Sequence, residues 1–294
     1  MSGLGPVFQM RGESMKKTLC ALLIVLPLVL LFSAAPVKAE DYRFVVISDT
    51  HMCVDRSGFS LYAATKSIVD SIIGEIKPKF VIDTGDMISI NTMTNSERDI
   101  TAMWKIFDTG VRDRLTSAGI AFFPSPGNHD VFGLGRSRYR QNWSRFSNRS
   151  INLVAGSYSD YYAFRCGSIL FISLDGSGLS LGREQESWLE STIDKYRHRN
   201  GAVVVFSHVG LVGRGRHPNE VLQGNIMSIV KRKNVKLYIS GHQHLCSKDS
   251  LGPVTHISAG SAGETPPFNY LVFNVRGSDI QWETKAGMEL LKRR

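Results

Sequence analysis

Five short clusters in this 294-residue sequence carry side chains suited to chemistry: Asp49-Thr50-His51, Gly85-Asp86, Gly127-Asn128-His129-Asp130, His208, and Gly241-His242-Gln243-His244. Asp49, His51, Asp86, Asn128, His208, His242 and His244 are all oxygen or nitrogen ligands, with no thiolate among them. Such a set suits borderline divalent metals (Mn, Fe, Zn or Co) better than a structural zinc site. It is ample for one ion and sufficient for two if a carboxylate bridges. Asp-x-His and His-x-His each send two ligands from one turn in the same direction. The glycine before Asp86, Asn128 and His242 suits a tight turn and close approach of the backbone. Two ions about 3.5–4 Å apart lower the pKa of a shared water and clamp both oxygens of an in-line displacement, so the natural substrate is a phosphate ester. His129 stands beside a ligand without being needed as one. It suits a proton donor to the leaving oxygen, with Asp130 orienting it and keeping it protonated.

Each cluster follows a run that reads as a strand: Arg43–Ser48, Phe80–Ile82, Ile120–Pro124, Gly201–Ser207 and Val235–Ser240. Between the first two, Leu61, Ala64, Ile68, Ile72, Ile73 and Ile76 recur at helical spacing until Pro78. Thr94-x-x-Glu97 reads as a capping box opening a long helix that closes at Gly119. Strand and helix therefore alternate, as in a sheet with helical crossovers, and the clusters fall at its C-terminal edge. A hairpin around Cys166-Gly167, a helix carrying Gln185, Trp188 and Leu189, and a helix from about Asn219 to Lys231 follow. Strands near Val254–Ser258, Tyr270–Val275 and Ile280–Glu283 complete one domain. A lone strand-end aspartate or histidine is most simply a cap; five clusters at five predicted strand ends make a shared site the simpler reading.

In their order, these clusters resemble the five motifs of the calcineurin-like metallophosphoesterase superfamily, from about Phe44 to His244. The resemblance implies an α/β fold (α+β by some schemes), a four-layer α-β-β-α sandwich with a dinuclear metal centre at one sheet edge. It also implies that Asp49, His51, Asp86 and His244 hold one ion and Asp86, Asn128, His208 and His242 the other, with Asp86 bridging. His129 would be the proton donor near the scissile ester. Ser89 stands where purple acid phosphatases carry a tyrosine ligand, so the protein is expected to be colourless. Met87–Ile90 and Asp130 depart from the Ser/Thr protein phosphatase pattern. Tyr161–Phe164, Ile169–Asp175 and Gln185-x-x-Trp188-Leu189 resemble the branch holding cyclic-nucleotide phosphodiesterases and broad-specificity phosphoesterases. The implied activity is hydrolysis of phosphodiesters, cyclic nucleotides included, or small phosphomonoesters by a metal-held hydroxide. A nucleotide or sugar phosphomonoesterase is the nearest alternative. A non-catalytic scaffold on the same fold is the third, and missing ligands would be its mark.

At the N-terminus, Lys16 and Lys17 precede the apolar run Leu19–Phe32, and Val37-Lys38-Ala39 offers small residues before Glu40. The run contains Pro27 and falls short of the roughly 20 apolar residues that span a bilayer. Residues 1–39 therefore read as a signal peptide, with Met15 the better start. Residues 40–294 read as the catalytic domain, exported to a periplasm or outside the cell with no stable membrane anchor after cleavage. Cleavage removes four basic residues and one acidic residue, lowering the formal net charge from +9 to +6. That mild balance suits a small phosphorylated substrate and is too dispersed for nucleic-acid wrapping. Hydrophobic residues at 43% and charged residues at 21% exclude a fibrous or disordered chain.

Cys53 and Cys246 each lie two residues past a ligand-type histidine, which makes a disulfide between them a candidate. Cys166 reads as a small buried apolar residue. The basic and aromatic stretch Gly135–Ser150 is most simply a helix that buries Tyr139, Trp143 and Phe146 and leaves its arginines in water. The alternative puts Tyr139 or an arginine on the substrate's phosphate. Arg214, Arg216 and His217 form a second candidate lip.

Overall fold

Short strands that are apolar on both faces need cover on both sides, and the first half of the chain supplies three of them. In the computed structural model, which describes residues 41–54, 63–144 and 152–287, these are β1 (Tyr42–Ile47), β2 (Phe80–Asp83) and β3 (Ala121–Pro124), paired in parallel. The crossover from β1 to β2 uses α1 (Ala63–Ser71) and a π-helical turn to Ile76. The next uses α2 (Glu97–Phe107), a second π-helical turn and α3 (Asp113–Ser117). Two short helices follow, α4 (Asn128–Val131) and α5 (Gly135–Ser144).

The second half begins with β4 (Leu153–Ser157), β5 (Tyr161–Cys166) and β6 (Ile169–Ser173), then α6 (Gly182–Tyr196), β7 (Val203–Phe206), α7 (Ile226–Arg232) and β8 (Leu237–Ser240). It ends with β9 (Ser247–Leu251), β10 (Val254–Ser258), β11 (Asn269–Arg276) and β12 (Asp279–Ala286). One sheet runs β12-β11-β1-β2-β3 and the other β4-β5-β6-β7-β8-β10-β9.

Strand alternation divides the core into three layers. Phe44, Val46, Phe80 and Ile82 point between the sheets and meet Phe164, Phe171, Val204 and Phe206 of the second sheet. Val45, Ile47 and Val81 point the other way, onto Ile68, Met103, Trp104 and Phe107 of the helices. On the far side, Leu170, Ile172, Val203 and Val205 pack on Leu189, Ile193, Ile226 and Ile229. The result is the expected four-layer arrangement, helices on each outer face of two stacked sheets.

Several local expectations need correction. The N-cap of α2 is Ser96, whose Oγ accepts from the Asp99 N–H at 3.1 Å. Thr94 instead donates its hydroxyl to the Ser89 carbonyl at 2.9 Å. Helix α7 begins at Ile226 rather than near Asn219, because the preceding loop bends back: the Arg216 N–H donates to the Gln243 carbonyl, and the Gln243 amide to the Glu220 carbonyl. No disulfide joins the described cysteines; Cys246 Sγ turns to Thr284 Oγ1 at 3.3 Å. Tyr139 and Trp143 are buried as expected. Phe146 and residues 1–39 lie outside the described residues. Among the described residues no helix is long and apolar enough to cross a membrane.

His256, buried on β10, rests Nε2 on Ser240 Oγ at 2.9 Å and has no hydrogen-bond partner at Nδ1. Burial lowers its pKa from 6.5 to about 4, with Asp249 opposing and Arg214 assisting. The fold holds the neutral ring, so its contribution is complete above pH 6.5 and is lost as pH falls toward about 4. The difference is about 3 kcal/mol. Thermal unfolding across that window is expected to show a falling Tm that His256→Gln flattens; an identical acid limb in the variant would contradict this.

Candidate metal centre

The five clusters sit on loops leaving β1, β2, β3, β7 and β8, and the backbone there is unusual. Among the described residues eight non-glycine positions have positive φ, and five of them belong to the clusters: Asp49 (53°), His51 (46°), Asp86 (55°), His242 (67°) and His244 (50°). Such conformations are uncommon for residues with a Cβ and cost about 1–3 kcal/mol each, so they persist where surrounding structure fixes them. Here backbone bonds do so. Asp49 N–H donates to the Gly85 carbonyl at 3.0 Å, His51 N–H to Asp86 at 2.9 Å, and Gly241 N–H to His208 at 2.9 Å. Left-handed residues at both ends of Asp49-x-His51 bring both side chains into one ligand group, whereas those of His242-x-His244 send His242 to the His208 side and His244 to the His51 side.

Asp86 is central. Its Oδ2 lies 3.5 Å from His51 Nε2 on one side and 3.1 Å from His208 Nε2 on the other. Beyond His51, His244 Nε2 is 3.3 Å from His51 Nε2 and 3.3 Å from Asp49 Oδ1. Beyond His208, Asn128 Oδ1 is 2.9 Å and His242 Nδ1 3.2 Å from His208 Nε2. Asp49, His51 and His244 thus form one ligand group and Asp86, His208 and His242 another, each with its donor atoms within 4.8 Å. A ring nitrogen of His129 comes within the same distance of His51 and Asp86.

Outer partners set which nitrogen each imidazole turns inward. His208 Nδ1 donates to the Thr84 carbonyl at 2.9 Å, and His242 Nε2 to Glu220 Oε2 at 2.7 Å. Nδ1 of His244 meets Thr265 Oγ1 at 2.8 Å. His208 Nε2, His242 Nδ1 and Asn128 Oδ1 are then all acceptors, packed against a carboxylate. Acceptors gathered on a carboxylate in this way fit a divalent ion, and a proton on His208 Nε2, 3.1 Å from Asp86 Oδ2, is the other charge that reconciles them. The pKa shifts report the same field. Burial opposes ionisation of Asp86, yet His208, ahead of His51, holds it far below the carboxylate range. Burial likewise opposes protonation of His208, but Asp86 raises it to about 9. Burial and His208 lower His242 to about 4. Burial works against Asp49 as well, and His244 and His208 outweigh it, leaving that carboxyl below its usual value.

Residues 42–246 match the calcineurin-like phosphoesterase family. The chain belongs to that family. No curated protein matches the sequence. Among solved structures, a dimetal phosphatase from Danio rerio is similar with TM-score 0.64 and 15% identity, over 84% of this chain and 97% of that one. Purple acid phosphatase PPD1 from yellow lupin is similar with TM-score 0.64 and 13% identity, over 86% of this chain and 53% of that one. A putative 5'-nucleotidase from Staphylococcus aureus has TM-score 0.55 and 16% identity, over 85% and 55%. At such identities these structures share the fold.

Two features of the family signature act differently from expectation. Asp130 does not face His129: its carboxylate accepts the backbone N–H groups of Asp86 at 2.9 Å, Gly127 at 2.8 Å and Ile88 at 3.1 Å. It is buried and shapes the turn that presents Asp86. Burial, then Asp86, raises its pKa to about 7. The His129 ring is oriented by the Ile90 carbonyl, 2.9 Å from Nδ1. Of the three glycines, only Gly85 uses positive φ, at 99°. At Gly127 a Cβ would collide with the backbone N and Oδ1 of Asp86, and at Gly241 with Ser48 Oγ and Asp49 Oδ2. These positions need closeness, not a left-handed turn. Gly127→Ala is expected to cost about 1–3 kcal/mol through overpacking and to weaken metal binding; urea unfolding with metal analysis checks both, and a silent variant would contradict it.

The cleft of about 110 Å³ over the cluster is lined by His51, Asp86, Asn128, His129, Arg216, His217, His242, His244 and Glu264. Glu220, Glu264 and Thr265 have no mark in the sequence, since each reaches the site from a loop. His217 stacks on His242 with centroids 4.5 Å apart and also meets Glu220 at 3.1 Å. Arg214 turns away to pair with Asp249. In α5, Arg136, Arg138 and Arg140 pair with Asp175, Glu97 and Asp160 and do not line the cleft.

Proposed function

We propose that this protein is an exported, dinuclear metal-dependent phosphoesterase acting on phosphodiesters or small phosphomonoesters. The observation that carries the reading is the Asp86 carboxylate standing between two ligand groups, on the side of both. In this reading Asp49, His51, Asp86 and His244 hold one ion, and Asp86, Asn128, His208 and His242 the other. When bound, two such ions lower the pKa of a water and neutralise charge on the phosphoryl oxygens.

The chain's own groups do the rest. Asn128, His51, His242 and His244 line the cleft that would receive the phosphoryl group. His129, with Nδ1–H held on the Ile90 carbonyl, would act as donor through Nε2, a role that requires the imidazolium. As the water oxygen bonds to phosphorus and the ester P–O bond breaks, the Nε2 proton passes to the leaving oxygen. The turn held by Asp130 keeps Asp86 and His129 in register, because the His129 N–H donates to Asp86 Oδ1 at 2.8 Å.

The test compares kcat/KM for bis(p-nitrophenyl) phosphate and p-nitrophenyl phosphate on Mn²⁺-loaded protein, with Asp86→Ala as blank. Turnover of either ester supports the reading; silence on both, with metal bound, leaves the scaffold. Export rests on the charged, apolar and small-residue order of residues 16–39, and sequencing the mature N-terminus should find Glu40 first.

A further inference from the structure

One charged pair lies against the candidate centre without belonging to it. Glu264 Oε2 is 3.4 Å from His51 Nε2, 3.4 Å from His244 Nδ1 and 3.2 Å from Arg216 Nη1. Its position is built in. Ser261 Oγ accepts the N–H groups of Gly263 at 3.2 Å, Glu264 at 2.8 Å and Thr265 at 3.0 Å, and donates to the Asp49 carbonyl at 2.8 Å. The loop carrying Glu264 is thereby fastened to the turn that carries Asp49. Arg216 is fixed from the other side, since its N–H donates to the Gln243 carbonyl at 3.1 Å.

Among the described residues Arg216 is the only arginine or lysine lining the cleft, and its charge is cancelled by Glu264. A phosphodiester brings one negative charge to the centre and a phosphomonoester brings two. Beyond the ions and the His129 proton, the described residues of this wall offer no uncancelled cation to the second charge, and the Glu264 carboxylate repels it. We propose that the Glu264–Arg216 pair is a charge filter that makes the site prefer the monoanionic phosphodiester to the dianionic phosphomonoester. The inference rests on the phosphoesterase reading above and decides between its two substrate classes.

The test uses the metal-loaded protein, Glu264→Gln, Arg216→Gln and the double variant, at mildly alkaline pH where the monoester is dianionic. The ratio of kcat/KM for p-nitrophenyl phosphate to that for bis(p-nitrophenyl) phosphate is expected to rise about tenfold in Glu264→Gln. It should fall by a similar factor in Arg216→Gln and return toward wild type in the double variant. Calorimetric binding of inorganic phosphate and dimethyl phosphate should follow the same order without turnover. Ratios that do not move overturn the filter, as does loss of a metal from Glu264→Gln, which would make Glu264 a ligand. If neither ester turns over in wild type, the phosphoesterase reading fails, and phosphate binding unaffected by Glu264→Gln overturns the filter independently.

Discussion

Asp86→Ala is expected to lose both ions together and to lower turnover more than about 10³-fold, the equivalent of about 4 kcal/mol of transition-state stabilisation. The size follows from position. Among the described residues no other carboxylate lies between the two ligand groups, with His51 at 3.5 Å and His208 at 3.1 Å from the same oxygen. Asp86 also organises the protein, because its Oδ1 accepts the His129 N–H at 2.8 Å. Removing it exposes His208 and His51 to each other without the counter-charge that sets their protonation. Elemental analysis beside steady-state kinetics checks the prediction. A variant that keeps two ions and most of its turnover would mean that Asp86 does not bridge. Asp49→Ala, by contrast, removes a ligand-type side chain from one group only, its contact with the other being the His242 N–H that it accepts at 3.1 Å, and should leave the ion on the His208 side.

The second large effect falls on His129. His129→Ala is expected to keep metal content and to slow esters of poor leaving groups about 10²–10⁴-fold. Esters of p-nitrophenol, whose leaving oxygen needs little help, should lose far less. The structure sharpens this prediction, because His129 bonds the Ile90 carbonyl and not Asp130. Asp130→Asn should therefore act differently from His129→Ala. It disturbs the acceptor of three backbone N–H groups, so it should lower stability and metal affinity, with no dependence on the leaving group. Leaving-group slopes for both variants separate the two roles; equal slopes would contradict the proton-donor assignment.

The metal-type ligands were legible because their positions are tied to strand ends, and strand ends are marked by β-branched and aromatic runs such as Arg43–Ser48 and Val235–Ser240. Two strands were not legible. Ser247–Leu251 (β9) and Leu153–Ser157 (β4) are edge strands with polar or glycine-containing sequences and little burial, so they carry no periodic apolar signal. The Thr94-x-x-Glu97 pattern misled because Ser96 competes for the same helix start and its side chain makes the cap. Asp130 misled for another reason. A carboxylate beside a histidine in sequence suggests a pair, but in α4 successive side chains diverge, and Asp130 points back into the turn. The outer partners Glu220 and Glu264 come from loops whose paths depend on tertiary bonds to Gln243 and Ser261. Nothing local in the sequence encodes such paths.

The central claim is a two-ion centre bridged by Asp86, and it is tested most directly by titrating chelator-stripped protein with Mn²⁺ while following the EPR signal and turnover of bis(p-nitrophenyl) phosphate. The account predicts that turnover saturates at two ions per chain, with the spectrum of a spin-coupled pair, and that Asp86→Ala gives neither. Saturation at one ion, or two ions with no coupling and no turnover, would contradict it.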